Sequence, residues 1–71
     1  MKLIYFNDTG RFVRIHPATL GHGCIVSKDP IKPLETREFL LPKDTIPWVK
    51  MWDEKEMGLR ILVSPLKETE K

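Results

Sequence analysis

Proline and glycine recur so closely along this chain that no regular element can run far. Six prolines and four glycines divide 71 residues, and the segments between them are apolar and of strand length. Short apolar segments bounded by such breakers are the pattern of a small all-β fold. The chain contains no internal repeat and no low-complexity stretch.

The pattern within each segment sharpens that expectation. Residues 2–6 (KLIYF) are apolar on both sides of a period-two alternation, which predicts a strand covered on both faces. Asn7-Asp8-Thr9-Gly10 has the residues of a hairpin loop leading into a strand at 11–16. There Val13 and Ile15 point one way, and Phe12, Arg14 and His16 the other. Residues 17–23, with a proline and two glycines, are expected to be irregular, followed by a short strand at 24–27. Residues 28–33 form a loop in which Ile31, between Pro30 and Pro33, plugs the core. LETREFLL at 34–41 satisfies two readings. Its composition suits a short helix opened by Pro33. As a strand it would place Arg37, Phe39 and Leu41 on one face, and the bounding prolines favour the strand.

A turn at 43–45 leads to a strand at 46–52, with Pro47 near its start, where a missing N–H is tolerated. A charged loop at 53–58 ends in Gly58, and a strand at 59–64 stops at Pro65. The last two strands are expected to pair as a hairpin. Five or six strands, each with an apolar face to hide, predict a small antiparallel β-sandwich of immunoglobulin-like type or a partly open barrel, with one short helix at 34–41 as the remaining option. The segment IKPLETREFLLP resembles an edge strand of immunoglobulin-like sandwiches; the likeness is confined to that segment and carries no diagnostic motif. One domain is expected over 1–66, with a polar tail at 67–71.

Composition bounds the function. Charged residues make up 31% and apolar residues 41%, an ordinary globular balance. The net charge is +2, and no two of the twelve Lys and Arg residues are adjacent, so no basic run marks a phosphate-backbone binder. The single cysteine, Cys24, excludes an internal disulfide framework and fits a reducing, cytoplasmic location. The N-terminus lacks the pattern of a signal peptide, and no segment approaches the ~20 apolar residues that span a bilayer.

Three groups of residues could carry chemistry. His16, His22 and Cys24 are suitable ligands for zinc or copper, and Gly21 and Gly23 give the HGC segment freedom to converge. Their spacing matches no standard zinc pattern and there is no second cysteine, so a glycine-rich connection with a small buried cysteine and two polar histidines is the favoured reading. The same residues could form a Cys–His nucleophile pair, but a chain this short leaves little room for a substrate pocket, and no catalytic motif is present. Asp53, Glu54 and Glu56 could hold Ca²⁺ weakly, yet lack the EF-hand pattern and read as solvated loop charge.

The third group is WVKMW at 48–52. In a strand Trp48, Lys50 and Trp52 share one face, and Val49 and Met51 the other. Two indoles flanking an ammonium suit a binding surface, unless they fill the core with Lys50 snorkelling outward.

These observations predict a non-catalytic β domain, with no cofactor, that binds a protein partner or its own copy as a homodimer. The alternatives are single-stranded nucleic-acid binding on an OB-like surface, using the indoles with Arg11, Arg14, Lys50 and Arg60, and a metal-handling domain using His16, His22 and Cys24.

Overall fold

A computed structural model describes residues 1–67. The expected tail at 67–71 therefore lies outside the described residues except for Lys67, which ends a strand. The chain is all-β: β1 (Lys2–Phe6), β2 (Val13–Ile15), β3 (Thr36–Leu40), β4 (Thr45–Asp53) and β5 (Leu59–Lys67) form two sheets. A one-turn helix, α1 (Ala18–Gly21), and a 3₁₀ turn at Lys55–Met57 interrupt them.

β1 and β3 pair antiparallel, Leu3 opposite Phe39 and Tyr5 opposite Arg37. The second sheet has the order β2-β5-β4. The expected β4–β5 hairpin is present and longer than predicted, from Asp53 opposite Leu59 to Thr45 opposite Lys67. Pro65 lies within β5 rather than ending it, directly opposite Pro47. Neither proline interrupts the ladder, because a pair whose N–H groups would both point outward needs no donor from either.

β2 runs parallel to β5, Val13 opposite Leu59 and Ile15 opposite Ile61, which departs from the all-antiparallel expectation. The cause lies in residues 7–10, which do not return β1 onto β2 as a hairpin. The Asn7 amide is fully buried and donates to the carbonyls of Arg11, Ile31 and Lys32, while its Oδ1 accepts from the Thr9 N–H and hydroxyl. A local Asx turn thus carries the chain across to the other sheet.

The core lies between the sheets. Phe39 and Leu41 meet Val13, Ile61 and Val63 there, with Cys24 and Ile31 from the connecting loops. Ile31 is completely buried, as its place between two prolines implied. Residues 34–41 follow the strand alternative: Arg37, Phe39 and Leu41 are buried while the residues between them are exposed. Arg37 donates to the carbonyls of Ser27, Asp29 and Pro30 and to Glu35, so it fixes the proline-rich loop from inside.

Three local expectations change. Residues 24–27 form no strand, only a bridge between Ile25 and Leu40. Residues 17–23 contain α1, which Pro17 can open because the first turn needs no N–H from it. β1 is covered on one face only: Ile4 and Phe6 are exposed, because the second sheet packs beneath Leu3 and Tyr5 and no third layer exists among the described residues.

Candidate binding site on the β4–β5 ribbon

The molecule measures 41 × 19 × 18 Å. β2 supports only the first part of β5, Leu59 to Ile61, and α1 extends that support by one bond, from the Val63 N–H to Thr19 Oγ1 at 3.0 Å. Beyond Ser64, β5 has only β4 beside it, so the strand ends at 45–48 and 64–67 continue as a two-stranded ribbon.

Alternation divides the ribbon into two faces. Leu59, Ile61, Val63 and Met51 turn toward the core. Trp48, Lys50 and Trp52 turn the other way, opposite Ser64, Leu62 and Arg60. Trp48 is 43% exposed, and Ile46 and Leu66, paired next to it, are exposed to the same degree. Val49, on the core side opposite the fully buried Val63, is still 44% exposed because β4 is the outer strand of its sheet.

Trp52 is held more firmly. His16 packs against it with ring centroids 5.9 Å apart at 58°, and the Lys50 ammonium lies 5.9 Å from its ring centre. Its indole N–H donates to Glu54 at 3.2 Å, and Glu54 also binds the Arg60 guanidinium at 3.1 Å. Arg14 stands beside Arg60 in the parallel register. Arg11 instead reaches Asp53 at 3.1 Å and the Lys55 carbonyl at 2.6 Å. Of the four cations in the nucleic-acid reading, Arg11 and Arg60 are therefore ion-paired.

The other candidate residues do not converge. His16 Nδ1 accepts the Ala18 N–H, His22 Nδ1 meets the Ser64 hydroxyl at 3.0 Å, and the Cys24 thiol is buried toward the Val63 carbonyl. Burial pushes the Cys24 thiol above its ordinary pKa, which disfavours a reactive thiolate. Asp53 and Glu54 are occupied by Arg11 and Arg60. Among the described residues, no three His, Cys, Asp or Glu side chains are grouped to hold a metal ion, and no helix is long and apolar enough to cross a membrane.

The backbone of β4 adds a feature that side-chain reasoning missed. In β5, the Leu59 N–H donates to Phe12, the Ile61 carbonyl accepts from His16, and the Val63 N–H donates to Thr19. These residues therefore turn their backbone groups away from β4. In an antiparallel pair the residues opposite them turn theirs away as well. Those residues are Val49, Met51 and Asp53, and their outward N–H and C=O groups have no partner among the described residues. β4 is thus an open edge from residue 49 to 53. Pro47 was the available signal, since proline inside a strand marks an edge.

Comparison with protein-family models, curated proteins and solved structures finds no match to this chain.

Proposed function

We propose that this chain is a non-catalytic recognition module that binds protein through the β4–β5 ribbon, with Trp48, Lys50 and Trp52 as its contact residues. The observation that carries the reading is Trp48, a large indole left 43% exposed beside the equally exposed Ile46 and Leu66. Grouped apolar side chains on a projecting ribbon are costly to leave in water, and tryptophan is enriched where interfaces concentrate their energy. His16, Lys50 and Glu54 already restrain Trp52, so little freedom is lost when a partner docks. A cytoplasmic site of action accompanies this reading, since the only cysteine is free and buried.

A photo-activated cross-linking residue at position 48 is expected to give protein adducts in cells of the source organism. The same residue at position 28, on the exposed Lys28 loop, is expected to give none. Equal labelling from both positions, or none from 48, contradicts the reading.

Single-stranded nucleic acid is the second reading, favoured by Lys50 lying 5.9 Å from the Trp52 ring and by Arg14 in register with Arg60, the residue opposite Trp52. It requires quenching of tryptophan emission by an oligonucleotide at low salt, lost at high salt.

A further inference from the structure

We infer that the partner of β4 is the same strand of a second copy, paired antiparallel about a two-fold axis at Met51. The inference rests on the recognition reading above and names its occupant.

An open edge with outward donors and acceptors on every other residue complements its own copy, because antiparallel pairing about a two-fold axis presents the same row to itself. Val49, Met51 and Asp53 supply that row. Centring the axis on Met51 sets Met51 opposite the partner's Met51, and Val49 opposite the partner's Asp53. Each of these pairs exchanges both N–H···O bonds, so every outward donor from 49 to 53 is used.

Pro47 selects this register. An axis at Val49 would press the Pro47 ring against the carbonyl of the partner's Met51 in the interior of a continuous sheet, where proline is not tolerated. An axis at Asp53 would shorten the shared ladder, because the chain leaves the strand after Asp53 and Lys55 takes a φ of 60°. With the axis at Met51, Pro47 falls beyond the end of the partner's strand.

The side chains agree. Lys50 and Trp52 direct their own N–H groups toward β5, so across the new interface Lys50 faces the partner's Trp52 as the closer, non-hydrogen-bonded kind of pair. An ammonium against an indole is attractive, and the two-fold repeats the contact. The result is one continuous sheet in which β2-β5-β4 runs into its symmetry copy, with the indole–lysine rows on a single face.

Sedimentation of the full chain over a wide concentration range should show a reversible monomer–dimer equilibrium. Met51→Pro removes an outward N–H but no bond to β5, so it should preserve the circular dichroism of the monomer. It should weaken the dimer by at least about 30-fold, through the ladder bond lost from each protomer and the ring set against the partner's carbonyl. Should that variant fail to fold, disulfide trapping still decides the matter. With copper and dissolved oxygen as oxidant, Met51→Cys should be converted rapidly to a disulfide-linked dimer, because Cα atoms directly opposite stand about 5.5 Å apart. Val49→Cys should link slowly, and the native chain, whose Cys24 is buried, not at all. Faster linking of Val49→Cys overturns the register. A monomer at every concentration overturns the inference. If such a monomer still cross-links other proteins from position 48, the recognition reading survives with a foreign partner; if only an oligonucleotide engages the indoles, both fail.

Discussion

Asn7 carries more of this architecture than its place in a turn-like sequence suggests. Its amide joins the carbonyls of Arg11, Ile31 and Lys32 at 2.7–3.1 Å with no exposure to solvent, and its oxygen holds Thr9. Removing such a hub leaves buried acceptors without partners, each costing about 1–3 kcal/mol. Asn7→Ala should lose about 3 kcal/mol of unfolding free energy in urea titration, and Asn7→Asp should be no better, because a carboxylate cannot donate. A loss below about 1 kcal/mol for either variant would remove Asn7 from this role. The residue type announced a turn. Its acceptors could not be read locally, because two of them, Ile31 and Lys32, lie far along the chain. Arg37 is similar: its place on the buried face of β3 followed from alternation, but the carbonyls that satisfy its charge became known only from the folded loop.

At the scale of elements, β4 and β5 were legible because a period of two is a local property, set by the pleat rather than by neighbours. Their loop was legible for the same reason. Asp53 Oδ1 accepts the Lys55 N–H, and Gly58 is required twice over: its φ is 91°, and an added Cβ would lie 2.6 Å from the Phe12 carbonyl oxygen. The strand expected at 24–27 and the missing α1 show the opposite case. A one-turn helix is too short to carry a periodic signal, and it forms here because it caps the side of β5 that β2 does not reach. Thr19 makes that cap. Thr19→Val, nearly isosteric but without the hydroxyl, should cost about 2 kcal/mol by leaving the Val63 N–H buried and unpaired. Thr19→Ser, which keeps the acceptor, should recover most of it in the same denaturation assay. Equal losses for both would assign the effect to packing.

For the whole molecule, the acid response follows from two carboxylates that tie segments together. The hydrogen bond from Arg37, with a second from the Lys32 N–H, holds Glu35 below its ordinary value of 4.5. The hydrogen bond from Arg11, with a second from the Lys55 N–H, holds Asp53 below 3.8. A carboxylate whose pKa is lowered on folding adds stability that is present above its unfolded value and disappears as pH falls through the folded one. Thermal stability should therefore hold near neutrality and decline as pH drops below about 4.5. Glu35→Gln and Asp53→Asn should each lower stability at neutral pH and flatten that decline. Melting curves between neutral and strongly acidic pH check this, and unchanged slopes in both variants would contradict it. The exposed ribbon belongs to this scale as well. A chain of this size has two sheets' worth of apolar faces and too little core to cover them all, so Ile46, Trp48 and Leu66 remain outside.

The amino-acid sequence alone determined the all-β class, the β4–β5 hairpin and the shared face of Trp48, Lys50 and Trp52, because each depends on alternation and turn chemistry within a few residues; it left 34–41 open between strand and helix. Only tertiary structure decided the parallel pairing of β2 with β5, the separate fates of His16, His22 and Cys24, and the open backbone edge of β4. Those outcomes depend on which distant segments share hydrogen bonds and which strand ends a sheet. That choice is made by competition for a small core, not by any local pattern.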